Sequence, residues 1–118
     1  MLNNVQSGLQ GQDVALRFLQ SKGMSLADAN FRVRRSEIDL IMKDGAYIVF
    51  VEVKYRRGVG YGYPGESVNI SKQKRIKNAA LHYIAYKNLH NNDFRFDVVE
   101  VLEESNGMTI NHIEDAFW

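Results

Sequence analysis

The sequence contains no cysteine. Disulfide frameworks, thiolate zinc sites and cysteine nucleophiles are therefore excluded, and an intracellular setting fits. No apolar run approaches the roughly 20 residues that a membrane helix needs. The segment Met1 to Gly11 is polar and lacks lysine and arginine, unlike a signal or transit peptide. His82, His90 and His112 are scattered and match no metal-ligand spacing. These absences lead to the expectation of a cytoplasmic protein without a membrane partner.

What remains is the composition of one globular domain, expected to span residues 1–118. Of the 118 residues, 45% are hydrophobic and 25% charged, enough for a single core. Net charge is only +1, but it is unevenly placed. Lys54, Arg56, Arg57, Lys72, Lys74, Arg75 and Lys77 fall in one stretch whose single acid is Glu66. Acids collect near the C-terminus at Glu100, Glu103, Glu104, Glu114 and Asp115. A basic segment in a near-neutral protein suits local contact with a phosphate backbone. A solvated helix face with a loop is the plainer reading of the same charges.

The pattern predicts seven elements in the order α-β-β-β-α-β-β. Ser7-Gly8-Leu9-Gln10 has the form of a capping box, and Ala15, Phe18, Leu19 and Lys22 follow at helical spacing, giving a helix over 8–22. A short strand is expected over 30–34. Strands over 37–43 and 47–55 form a hairpin around Asp44-Gly45. The second arm, Tyr47-Ile48-Val49-Phe50-Val51-Glu52-Val53, is almost continuously β-branched and aromatic, as for a central strand covered on both faces. Residues 57–70 form a loop holding Gly58, Gly60, Gly62, Gly65 and the only proline, Pro64. It matches no nucleotide-binding fingerprint; Tyr61 and Tyr63 either stack on bases or pack the loop. Ser71 is the expected cap of a second helix, whose buried stripe is Ile76, Ala79, Ala80, Tyr83 and Ile84. Strands over 94–102 and 108–113 follow, joined at Asn106-Gly107. Trp118 reads as a packing residue.

A turn centred on Asp44-Gly45 sets Ile41 opposite Ile48, Asp39 opposite Phe50 and Glu37 opposite Glu52. Alternation then sorts the side chains. Ile38, Leu40, Met42, Val49, Val51 and Val53 form an apolar face. Glu37, Asp39, Glu52 and Lys54 gather at one end of the other. Asp39 and Glu52 become diagonal neighbours within reach of a shared ion. A divalent cation such as Mg²⁺, held by one or two carboxylates with waters and substrate phosphates, would offset their repulsion and polarise a phosphoryl oxygen. Lys54 would stabilise charge on the water or phosphate. A salt-bridge cluster at a sheet edge is the competing reading, and the geometry by itself leaves both open.

These residues carry a family resemblance. Ser36-Glu37-Ile38-Asp39-Leu40-Ile41, then Val49-Phe50-Val51-Glu52-Val53-Lys54-Tyr55-Arg56, resembles the YraN-like bacterial proteins, as do Gly8-x-x-Gly11-Gln12-x-x-Ala15, Lys72-Gln73 and Arg95-Phe96-Asp97-Val98-Val99. The resemblance runs from about Gly8 to Val101. That family is similar to the restriction-endonuclease-like, or PD-(D/E)XK, superfamily and to archaeal Holliday-junction resolvases. The resemblance implies an α/β fold with a central mixed sheet flanked by helices. It implies Asp39, Glu52 and Lys54 as catalytic residues, with Mg²⁺ (or Mn²⁺) held by Asp39, Glu52 and the carbonyl of Val53. Glu37 and Gln12 are implied as accessory residues. Arg56 is expected on the site rim, and Lys72, Gln73, Lys74 and Arg75, at a helix N-terminus, as phosphate contacts. A homodimer is implied by analogy with the resolvases.

Two positions depart from the family pattern. Gln12 stands where a glutamate is usual, and Ser36 where a glycine is usual. Asp13 would substitute for that glutamate only from a helix face about 100° away. Three expectations follow: a metal-dependent endonuclease acting on branched or single-stranded DNA, a nucleic-acid-binding module with weak or no cleavage, and a scaffold whose charges are structural.

Overall fold

The computed structural model describes residues 4–57 and 68–117, the side chains of residues 4–9 excepted. Two helices and five strands run in the expected order: α1 (Asn4–Ser21), β1 (Ser25–Val33), β2 (Ser36–Asp44), β3 (Tyr47–Arg57), α2 (Ile70–Lys87), β4 (Asp93–Glu104) and β5 (Gly107–Ile113). The strands form one mixed α/β sheet in sequence order, β1-β2-β3-β4-β5. β3 and β4 are parallel, and the other neighbours are antiparallel. The parallel pair requires a crossover, which α2 supplies.

β3 is covered on both faces, as its composition predicts. On one face Ile48 and Phe50 pack with Ile76, Ala79, Ala80 and Tyr83 of α2. On the other, Val49 and Val51 pack with Ala15 and Leu19 of α1. Phe50 stacks on Phe96 with centroids 5.4 Å apart, and Phe96 on Phe117 at 5.2 Å. Phe31 meets Tyr83 edge-on at 5.0 Å. This aromatic row gives the α2 side a rigid floor. No described helix is long and apolar enough to cross a membrane.

Several local expectations are corrected. Helix α1 starts at Asn4, so Ser7 lies inside it rather than at its cap. β1 is nearly twice its predicted length; its first residues are exposed, so no hydrophobic alternation marks them, yet their backbone pairs with Met42 and Lys43. Helix α2 is capped by Asn69, not Ser71: the Asn69 side chain accepts the Lys72 N–H at 2.9 Å. The loop tyrosines, the glycines between 58 and 65, Pro64 and Trp118 lie outside the described residues.

The hairpin turn is Gly45-Ala46, with Asp44 opposite Tyr47. Gly45 has φ +59°, as the first central residue of a II′ turn requires. Ile41 therefore faces Phe50 instead of Ile48, a shift of two residues that leaves faces unchanged because side chains alternate with a period of two. Ile38 is the exception. It packs on the α2 side with Ile41 and Phe50, whereas Leu40 and Met42 face α1. The regular β2–β3 pairing ends at Leu40 and Val51, and Asn30 on β1 takes a left-handed conformation at φ +53°. Both irregularities flank Asp39.

Candidate metal and phosphate site

Beyond the Leu40–Val51 pair, a side chain takes over from the backbone. Oδ2 of Asp39 accepts the Val53 N–H at 2.8 Å. The two strands are thus joined by a carboxylate where a ladder bond would be next. Continuing the register sets Asp39 level with Glu52, and Glu37 pairs instead with Arg32 of β1. The predicted Glu37–Glu52 pair does not form.

Alternation along β3 puts Phe50, Glu52 and Lys54 on the α2 side. Glu52 is 4% exposed, enclosed beneath the first turn of α2. Its Oε1 receives two ammonium groups, Lys72 Nζ at 2.8 Å and Lys54 Nζ at 3.6 Å. The Asn69 cap and a bond from Gln73 Nε2 to the Val68 carbonyl at 3.1 Å fix that turn. Lys72 is therefore delivered to Glu52 by a defined piece of backbone.

The electrostatics follow from this crowding. Asp39 is pushed up to about 7 by burial and by the charge of Glu52, against the Val53 N–H and Lys72. Burial and the Lys72 charge push Lys54 down. Burial also opposes charge on Lys72, but its hydrogen bond to Glu52 and the Glu52 charge outweigh that and hold it above its ordinary value.

The other predicted residues are placed as follows. Glu37 accepts Arg32 Nε at 3.1 Å on the edge strand. Gln12 and Asn30 exchange two amide hydrogen bonds, at 2.9 and 3.1 Å. The β1–β2 register sets Asn30 across from Asp39, so Gln12 reaches the level of the site with its amide already committed. Arg56 is half-buried, two residues beyond Lys54 on the same strand face. Lys74 and Arg75 are exposed. Of the four residues expected at the α2 N-terminus, Lys72 is joined to the acids and Gln73 serves the turn.

Two features escaped the sequence reading. Glu100 is completely buried and is the register partner of Lys54, on the α2 side with Phe96 and Val98; Asn111 donates to it at 2.9 Å. An acid inside Val98-Val99-Glu100-Val101 was the available signal. On the opposite face Asp97, also fully buried, accepts Arg95 Nε at 2.9 Å and the Asp115 N–H at 3.0 Å, and pairs with His112 Nε2 at 2.8 Å. His112 Nδ1 meets Lys22 at 2.7 Å. This network ties α1, β4 and the C-terminal segment together.

The donor chemistry suits one class of ion. Among the described residues no three histidine, cysteine or acidic side chains form a ready metal cage. A structural zinc or an all-protein calcium site therefore does not fit. Two adjoining carboxylates with neighbouring backbone oxygen do fit Mg²⁺ or Mn²⁺, which keep waters and take substrate phosphate as further ligands. Burial and, after it, the charge of Glu52 push Asp39 up, and a bound cation would relieve both.

Comparison with known proteins places these residues in a family context. The model of the uncharacterised protein family UPF0102 matches residues 11–101. The chain is 43% identical to the UPF0102 protein of Rhodococcus opacus over 118 residues, covering 99% of this chain and 100% of the relative. It is 45% identical to that of Clostridioides difficile over 118 residues, covering 98% and 100%. For Caldicellulosiruptor saccharolyticus the identity is 38% over 118 residues, with the same coverage of 98% and 100%.

Proposed function

The chain belongs to the uncharacterised protein family UPF0102, and from its site we propose that it is a Mg²⁺- or Mn²⁺-dependent nuclease hydrolysing DNA phosphodiesters, on a fold of the restriction-endonuclease-like kind. Branched or single-stranded DNA is the proposed substrate class. The observation that carries this reading is the meeting of Asp39, Glu52 and Lys54 where the β2–β3 ladder gives way. Two lysines balance the two acids in formal charge, yet Asp39 stays disturbed, by burial first and by the charge of Glu52 second.

Asp39 and Glu52 would hold the ion, with the Val53 carbonyl as a third donor. When bound, the ion supplies Lewis acidity toward a phosphoryl oxygen and a more acidic water. Lys54, two residues along the strand from Glu52, orients that water and balances charge developing on phosphorus. Arg56, Lys74 and Arg75 extend positive charge outward for the flanking backbone.

Gln12 favours a second reading. Its amide is engaged with Asn30, so it adds no anionic donor to the site. A protein with this arrangement binds DNA but cleaves it slowly or not at all.

One assay separates the two. Plasmid, single-stranded and four-way-junction DNA are incubated with protein and Mg²⁺ or Mn²⁺, beside Asp39→Asn and Lys54→Ala. Cleavage that needs the metal and disappears in both variants supports the nuclease. Salt-sensitive DNA binding without cleavage supports the binding module. Cleavage that is the same in wild type and both variants overturns the nuclease, and DNA binding that is absent or insensitive to salt overturns the binding module.

A further inference from the structure

We propose that Lys72 is an internal counter-ion that occupies Glu52 until substrate arrives, so that the divalent ion and the DNA phosphate bind cooperatively. The inference rests on the metal-dependent reading above and adds a positioning residue and a form of regulation to it. Its basis is the unequal arrangement of two lysines about one buried oxygen. Lys54 stands 3.6 Å from Glu52 Oε1, and Lys72 stands 2.8 Å from the same atom. Lys72 therefore makes the full hydrogen bond, on the acid that a metal would need.

Charge balance gives the direction of the effect. With all four ionised, Asp39 and Glu52 cancel Lys54 and Lys72. Even with a formal charge counted for Glu100, the buried register partner of Lys54, a divalent ion leaves the cluster positive, and the neighbouring Phe50, Ile76 and Ala79 offer no compensation. A phosphodiester brings one negative charge and the acceptor oxygens that a displaced ammonium requires. Lys72 is suited to that exchange, because it ends a flexible four-carbon stem while its backbone is pinned by the Asn69 cap. It is half-exposed, with side-chain exposure of 38%, so its far side is open to an approaching strand. Lys54, at 23%, is more enclosed and rooted in the central strand, so it stays.

The test is Mn²⁺ titration calorimetry without DNA, on wild type, Lys72→Ala and Lys72→Arg, with DNA affinity measured separately in chelator on a single-stranded oligonucleotide. Lys72→Ala is expected to bind Mn²⁺ about tenfold more tightly, the size of one charge-assisted hydrogen bond removed from Glu52. Its DNA affinity falls, and its salt dependence is shallower by roughly one phosphate contact. Lys72→Arg keeps the counter-charge and stays near wild type in both. A side chain that merely packs the first turn would weaken both affinities together. If wild type binds Mn²⁺ and Lys72→Ala binds it no more tightly, the counter-ion role is overturned while the nuclease reading survives. If neither protein binds Mn²⁺, the metal-dependent reading fails and takes this inference with it.

Discussion

The Asp39 carboxylate accepts the Val53 N–H at 2.8 Å across two strands whose ladder has just ended. The same group thus finishes the β2–β3 pairing and stands beside Glu52 as a candidate metal ligand. An acceptor that joins strands need not be charged; a carboxyl group that grips a hard cation must be ionised. That difference makes Asp39 the residue where stability and function pull apart.

Asp39→Asn should separate them. Asp39 is pushed up to about 7 by burial and the Glu52 charge, above the unfolded value of about 3.9. A raised carboxyl destabilises the fold when ionised: stability declines as pH rises from the unfolded value to the folded one and stays low above it. Asparagine keeps an acceptor for Val53 without the charge. In metal-free buffer at pH 8 the variant should gain about 1 kcal/mol, seen as a rise of roughly 4–6 °C in Tm. At pH 4 the gain should vanish. A destabilised variant at both pH values contradicts this account of the site.

Asp97 should behave in the opposite sense. Burial opposes its ionisation, but hydrogen bonds from His112, Arg95 and the Asp115 N–H hold its carboxyl below the ordinary range. A lowered folded value means that its stabilisation is complete above the unfolded pKa of about 3.9 and is lost as pH falls through the folded one. Asp97→Asn should cost about 3 kcal/mol at pH 7, since Arg95 and His112 lose their charged partner. The variant's stability should also fall less steeply than wild type between pH 5 and 2. Urea melts across that range measure both.

Much of the fold was legible because β3 and the two helices carry strong patterns. Tyr47 to Val53 declared a central strand, and Ile76, Ala79, Ala80, Tyr83 and Ile84 declared the buried stripe of α2; the strand and the first four stripe residues pack as read, and Ile84 is only partly buried at the margin of the core. The exposed first half of β1 had no pattern to read, because its pairing is a backbone matter. One misplaced turn residue shifted the hairpin by two, yet Asp39, Glu52 and Lys54 still converged, since an even shift preserves faces. Ile38 changed sides because the strand is irregular beside Asp39. The Lys72–Glu52 contact was hidden for another reason: it depends on how the crossover lays α2 on the sheet, which no local spacing encodes.

Gly11 carries a packing requirement that its place in a sequence motif does not explain. A Cβ there would lie 2.7 Å from Cδ2 and 2.8 Å from Cβ of Tyr55. Tyr55 Cβ is anchored to β3 and cannot swing away. Gly11→Ala should therefore destabilise by about 1–2 kcal/mol through overpacking, despite the better helix propensity of alanine. A companion Tyr55→Gly change, which removes that Cβ together with the ring, should remove most of that added cost, as a double-mutant cycle in denaturant would record.

Asn69→Ala removes the side chain that accepts the Lys72 N–H. The expected loss is about 1 kcal/mol, typical of a helix N-cap. Asn69→Asp should restore it, and carboxylate charge at the helix start adds a small favourable term. Thermal melts followed by circular dichroism distinguish the two.

A crystal of the protein with a single-stranded oligonucleotide, soaked in Mn²⁺ and measured at the manganese absorption edge, tests the metal site without intermediaries. One anomalous peak is expected about 2.1 Å from carboxylate oxygens of both Asp39 and Glu52, with Lys72 moved off Glu52 onto a phosphate. A peak elsewhere, or none at saturating Mn²⁺ with Lys72 still on Glu52, would contradict the metal site.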